Sequence, residues 1–169
     1  YIDSETETIE SMNNLIDWLP KNLPSEKQTG IVHGDYSLTN VMIGKDDPNV
    51  IAILDWELST LGDPCADFNY HCLQYTMNPK LADKEFCRSQ GIPVIDDYVK
   101  MYSEKINIDL SEEWDLYSAY NLFKLAGILQ GILGRVRDGT AAHENAAERA
   151  SGVRNLSDTA WNLVEKNFL

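Results

Sequence analysis

Asp35, Asn40 and Asp55 are the residues of this chain whose types and spacing suit one piece of chemistry. The first two lie on the stretch Ile31-Val-His-Gly-Asp-Tyr-Ser-Leu-Thr-Asn-Val-Met-Ile43, and the third closes the apolar run before Trp56 and Glu57. Phosphoryl transfer from a magnesium nucleotide needs such a set: one carboxylate to accept a hydroxyl proton and two oxygen ligands for the metal. Asp35 follows Gly34, so the backbone can turn sharply and aim the carboxylate out of the loop. Asn40 opens the next strand, where a neutral amide oxygen suits a cation already facing negative phosphate. Asp55 emerges from the end of an apolar strand, and magnesium takes one or two carboxylates plus phosphate oxygens. His33 stands just before the loop. It could hydrogen-bond the backbone near Asp55 and tie the two loops together, a structural role favoured because Asp35 already supplies a base. Singly, each of these residues is an ordinary turn or cap residue. Together, between strands, they read as a site.

Three short β-type runs must carry them: residues 30–33, 40–43 and 50–54, the last two joined by the turn-rich Gly44-Lys-Asp-Asp-Pro-Asn49 as a hairpin. Ahead of them, Ser4 and Glu7 resemble a capping box, and Ile9, Met12, Leu15, Ile16 and Leu19 recur at helical spacing, which predicts a helix over about residues 5–20. Everything after Asp63 reads as helical. Asp63 caps and Pro64 opens a segment running to about Met77, with Phe68, Cys72 and Tyr75 on one side. Further helices are expected over 95–106, from Ser111–Trp114 to about Arg137, and over 143–167. In the longest, Gly127, Gly131 and Gly134 cost helix stability, which close approach of another backbone would explain. The expected fold is α+β and mostly helical, a single domain over residues 1–169.

Composition narrows the function. Fourteen Lys and Arg against 27 Asp and Glu leave a net charge of −13. Binding to nucleic acid or to an anionic membrane needs a basic face to displace counterions, so neither partner is expected. No apolar run is long enough for a bilayer span, and no basic leader with a cleavage site is seen. Cys65, Cys72 and Cys87 are odd in number and unpatterned. They read as reduced packing residues in a cytoplasmic protein, Cys65 and Cys72 sharing one helix face.

The motif His33-Gly34-Asp35-x-x-x-x-Asn40, an apolar strand ending in Asp55-Trp56-Glu57, then Gly62-Asp63-Pro64 and Asp67, resembles the aminoglycoside phosphotransferase and choline kinase-like enzymes, small-molecule relatives of the protein kinases. The wording around Leu54–Pro64 is closer still to a subset associated with acyl-CoA dehydrogenases. The resemblance implies a protein-kinase-like C-terminal lobe whose small β-hairpin carries the catalytic and metal loops. It implies Asp35 as catalytic base with His33 bracing the loop, Asn40 and Asp55 as ligands of Mg2+ and so of ATP, and Gly34, Glu57, Asp63 and Asp67 as support for the site. Trp56 and Glu57 match family positions whose chemistry the sequence does not supply.

The family builds its nucleotide site from two lobes, and no glycine-rich phosphate loop, strand lysine or paired helix glutamate appears before His33. The glycines at 127, 131 and 134 lie in a helical pattern and form no phosphate loop. The expectation is therefore a C-terminal lobe alone, an incomplete fragment with little activity, whose missing partner is the N-terminal lobe. Its acceptor is expected to be a small-molecule hydroxyl, with an acyl-CoA dehydrogenase domain as a further neighbour. Tyr70, Tyr75, Trp114, Tyr117 and Tyr120 are candidate acceptor walls, with core packing the favoured reading. Arg135, Arg137, Arg149 and Arg154 are candidate contacts for an anionic acceptor, with solvated helix faces favoured. Two other classes compete: a non-catalytic scaffold lobe that retains the motif, and a metal-dependent hydrolase using His33, Asp35 and Asp55, which lacks a second histidine at ligand spacing.

Overall fold

The computed structural model describes residues 1–24 and 28–169. In chain order the elements are α1 (Glu10–Trp18), β1 (Gly30–Val32), β2 (Val41–Ile43), β3 (Val50–Ile53), β4 (Thr60–Gly62), α2 (Pro64–Cys72), α3 (Gln74–Met77), α4 (Pro79–Ala82), α5 (Lys84–Ser89), α6 (Ile95–Ile106), α7 (Trp114–Arg137), α8 (Ala146–Arg149) and α9 (Val153–Phe168). Short 3-10 turns cover Leu38–Asn40 and Trp56–Leu58. The protein is mostly helical with a small β part, as expected of an α+β lobe. It divides into two compact units, residues 25–117 and residues 1–24 with 118–169, and the boundary falls within α7.

The β part lies in the first of these units and is nested. The hairpin β2–β3 pairs Val41 with Ile53 and Met42 with Ala52, and Gly44 N–H donates to Asn49 O at 2.9 Å to close its loop. Outside it, β1 pairs antiparallel with β4, Ile31 opposite Leu61 and Val32 opposite Thr60. The β4 strand was not anticipated: Thr60-Leu-Gly62 is too short and too close to the helix start to carry a strand pattern of its own. Nesting has a direct consequence. Where Val32 meets Thr60 and Val41 meets Ile53, loop 33–40 and loop 54–59 must leave the strands at the same end.

Beneath these loops α2 is held in a helical core. Cys65, Phe68 and Cys72 are buried with Leu110 and Tyr117, and Tyr98, Tyr102 and Trp114 pack against them. The Phe68 and Tyr102 rings stack at 3.8 Å. The expected run to Met77 is broken at Leu73, giving α2 and α3. Two short helices not foreseen, α4 and α5, follow, each capped by an Asn or Asp side chain. Burial pushes the Cys72 thiol up to about 12 and, helped by Asp63, the Cys65 thiol likewise. All three cysteines are free and buried, as packing residues should be.

In the other unit α1 and α9 pack together, with Met12 and Leu15 buried on α1 and Val153, Ala160 and Val164 buried on α9. Ser11 donates to Asp158 Oδ1 at 2.6 Å within this interface. The expected capping box does not form. The helix starts at Glu10 with Ile9 as its cap. Residues 4–7 are held by distant partners instead: Gln130 Nε2 donates to Ser4 O at 2.6 Å, Arg137 Nη1 to Glu5 O at 2.9 Å, and Arg154 pairs with Glu7 at 2.6 Å. Tertiary bonds outweigh the local cap worth about 1 kcal/mol. Only Gly134 of the three α7 glycines is explained by close approach, since a Cβ there would lie 2.8 Å from that of Ser4; at Gly127 and Gly131 it would meet nothing within 4 Å. The expected helix 143–167 is interrupted at 150–152 by Ala150, Ser151 and Gly152. No described helix is long and apolar enough to cross a membrane.

Candidate functional site

His33 leaves β1 as a buried side chain, 3% exposed. Its ring joins the two loops. The Asp35 backbone N–H donates to Nδ1 at 3.2 Å, so Nε2 carries the hydrogen and donates to Leu54 O at 2.8 Å. Trp56 lies against the imidazole, ring centroids 4.8 Å apart, and its Nε1 donates to Ile53 O at 2.7 Å. Trp56 therefore has a structural account: it covers the bond that couples the loops. Glu57, beside it in the 3-10 turn, is exposed.

Gly34 sits at φ +85°, and a Cβ there would lie 2.5 Å from the carbonyl oxygen of Leu58 in the second loop. Glycine is required twice over, by the backbone angle and by the neighbouring chain. Asp67 on α2 accepts from the N–H groups of both His33 and Gly34, the latter at 2.9 Å. Asp63 caps α2, accepting from Cys65 N–H at 2.9 Å, and its other oxygen accepts from the buried Tyr117 hydroxyl at 2.6 Å. Thus Asp67 holds the loop and Asp63 holds the helix that carries Asp67.

Asp35 is half-buried. Asn40 Nδ2 donates to its carbonyl at 2.9 Å and to its Oδ2 at 3.2 Å. Engaging the amide nitrogen leaves the amide oxygen as the group Asn40 can offer to a ligand. The Asn40 carbonyl accepts from Leu54 N–H at 2.8 Å, so the residue before Asp55 is tied both to Asn40 and to His33. Asp55 itself is exposed and adopts a left-handed backbone, φ 65°, uncommon outside glycine. The structure thus links His33, Asp35 and Asn40 with the strand end that leads into Asp55.

One participant escaped the reading of the loop motif. Burial, reinforced by the Asp35 carboxylate, pushes the Tyr70 phenol up to about 12. Its sequence signal is its place three residues after Asp67 on α2, one turn along the same face. The next residue, His71, stacks obliquely on Tyr36 at 5.5 Å and lies 3.3 Å from the Tyr98 hydroxyl; burial lowers its pKa. The remaining aromatic candidates of this unit are framework: Tyr117 serves Asp63, Trp114 packs on Phe68, and Tyr75 donates to Pro93 O at 2.8 Å. Arg137 and Arg154 are taken up by Asp138, Glu7 and the first residues of the chain. A cleft of about 430 Å³ along α6, lined by Asp96, Lys100 and Glu104 among others, involves none of the loop residues.

Residues 1–120 match the family model described as the phosphotransferase enzyme family. A crystal structure described as a candidate aminoglycoside phosphotransferase from Ralstonia eutropha JMP134 superposes with a TM-score of 0.91 at 40% identity, covering 100% of this chain and 53% of that one. Acyl-CoA dehydrogenase family member 10 of Mus musculus is 37% identical over 98% of the chain and 16% of its own length. A probable acyl-CoA dehydrogenase, IBR3, of Arabidopsis thaliana is 35% identical over 91% of the chain and 19% of its own length. The chain therefore spans less than a fifth of these two relatives.

Proposed function

The chain belongs to the phosphotransferase enzyme family, and from that membership we propose that it serves transfer of the γ-phosphoryl group of ATP to a small-molecule hydroxyl. The observation that carries the proposal is the bonded set His33–Asp35–Asn40–Leu54, which gathers a carboxylate, an amide and the strand end at Asp55 on one side of a nested β pair. Asp35 is the base that accepts the hydroxyl proton, and His33, Asn40 and Asp67 fix its loop. The donor set suits magnesium: an amide oxygen whose nitrogen is already engaged, and an exposed carboxylate at a strand end. Asn40 and Asp55 would hold the ion, which would neutralise charge developing on the transferred phosphoryl group. The metal-dependent hydrolase reading is disfavoured, because both ring nitrogens of His33 are committed to backbone groups.

We further infer that the chain is one lobe of a two-lobe protein. Ile31, Leu38, Ile51, Leu58 and Leu61 of the β part are all more than half exposed, apolar side chains of the kind a covering lobe would bury. On this reading the nucleotide lobe is supplied elsewhere and the chain alone turns over poorly. An acyl-CoA dehydrogenase domain as neighbour is supported by the relatives' descriptions. The three free thiols support a reducing, cytoplasmic setting.

The test is thermal stabilisation by Mg-ATP of this lobe joined to its nucleotide lobe. At 10 mM ligand and a Kd of about 1 mM, binding adds about 1.4 kcal/mol, a rise of a few °C in Tm, about 3 °C or more. Asp55→Ala should abolish the rise. An unmoved Tm in the wild type, or an equal rise in Asp55→Ala, would refute the assignment. Binding without any ADP release on adding the missing lobe would mark a scaffold.

A further inference from the structure

We propose that His71 is a positioning residue of the Asp35 loop: it is the middle ring of a clasp that seats the loop on the helices, and the clasp opens when the imidazole takes up a proton. The inference rests on the phosphotransferase reading and names a further residue of that site. Rings from three elements meet in series. Tyr36, the residue after Asp35, has its ring centroid 5.5 Å from that of His71 on α2, the planes tilted by 47°. His71 in turn meets Tyr98 of α6, ring edge-on at 5.9 Å, with the Tyr98 hydroxyl 3.3 Å from Nε2. Tyr98 is seated in the core, 5.2 Å from Phe68, whose ring stacks on Tyr102.

The other bonds of the loop stop short of Tyr36. Asp67 accepts from the N–H groups of His33 and Gly34, and His33 Nδ1 accepts from that of Asp35. The peptide after Asp35 is held by Asn40, whose Nδ2 donates to the Asp35 carbonyl at 2.9 Å. Asn40 belongs to the same loop and moves with it, whereas His71 stands on a helix packed into the core through Phe68 and Cys72. Turning Tyr36 turns the peptide it shares with Asp35, so the seat of its ring bears on the direction of the base. A misdirected base loses its contact in the transition state, which falls chiefly on kcat.

The clasp suits a neutral imidazole. The loop presents the Tyr36 ring to it and α6 presents the Tyr98 ring and hydroxyl, neither a charged side chain. On its own helix Asp67, one turn back, is committed to the N–H groups of the loop. Two effects compete on protonation: aromatic faces attract a cation, by about 0.5–1 kcal/mol at exposed sites, and burial opposes the charge. Burial wins, since it lowers the His71 pKa from its ordinary value. The charged ring therefore gains by reaching water, which means leaving Tyr36 and Tyr98.

The experiment reads the contact and the turnover separately. In the 169-residue chain, the Tyr36 ring resonances and the Asp35 amide should follow the His71 titration, with a midpoint below about 6.5. In His71→Phe, which keeps a ring against Tyr36 and cannot titrate, both should stay flat between about pH 7.5 and 5.5. Turnover is measured on this lobe joined to its nucleotide lobe, as ADP release with Mg-ATP as probe and water as acceptor. At about pH 7.5, His71→Ala should lose about tenfold in kcat with KM for Mg-ATP within about threefold, and His71→Phe should recover most of that loss. Between about pH 7.5 and 5.5 the wild-type kcat should fall with the His71 midpoint, and His71→Phe should lack that fall. A Tyr36 ring that ignores the His71 titration, an acid limb retained in His71→Phe, or wild-type kcat in His71→Ala would each overturn the proposal. Wild-type turnover in Asp35→Ala would instead overturn the phosphotransferase reading, and with it the positioning role, whatever the Tyr36 titration shows.

Discussion

Replacing Gly34 by alanine would place a methyl carbon 2.5 Å from the Leu58 carbonyl oxygen, on a backbone held at φ +85°. Three terms set the cost. Left-handed backbone disfavours an L-residue by about 1–2 kcal/mol. The contact is with backbone, so relieving it means shifting the second loop, an overpacking cost of about 1–3 kcal/mol. Stiffening the unfolded chain returns about 0.4–1 kcal/mol. The net loss is about 1–4.6 kcal/mol, and with an m-value of about 2 kcal/mol/M the urea midpoint should fall by about 0.5–2.3 M. Gly127→Ala is the matched control: it lies inside α7, where a Cβ would meet nothing within 4 Å. There alanine should gain about 1 kcal/mol and raise the midpoint by about 0.5 M. Opposite signs from the same chemical change are the signature of the loop contact. If Gly34→Ala unfolds within about 0.3 M of the wild type, loops 33–40 and 54–59 do not meet as described.

Asp63→Ala removes the α2 cap and strands the buried Tyr117 hydroxyl, which should cost about 2–4 kcal/mol in urea unfolding, against about 1 kcal/mol for Tyr117→Phe. A loss below about 1 kcal/mol in Asp63→Ala would contradict that account. His71 has a pKa lowered by burial between Tyr36 and Tyr98, so the unfolded chain takes up its proton first as pH falls. Its contribution is complete above the ordinary value of about 6.5 and is lost as pH drops below it. The wild type should therefore lose more stability than His71→Gln between about pH 7.5 and 5.5; parallel losses would show that His71 is not the group responsible.

Much of the candidate site's loop geometry was legible because its residues are close in sequence. Asp35, Asn40 and His33 fall on one loop, and turn residues announce their geometry locally. The hairpin, the Asp63 cap, the α6 limits and the span of α7 follow from periodicity and capping for the same reason. The failures share the opposite cause. The Ser4–Glu7 capping box was a sound local signal overruled by Gln130, Arg137 and Arg154, more than a hundred residues away. The strand at 60–62 has no pattern of its own and exists because β1 offers it a partner.

By itself, then, the order of residues settled the family and put forward the candidate groups for its chemistry, since both are written in types and short spacings. Only the folded chain decided how those groups are held: β4 pairing with β1, Leu58 crowding Gly34, and the face of α2 bringing Asp67 and His71 to the loop. Groups more than twenty positions apart meet through packing and pairing, and neither leaves a mark in local sequence spacing.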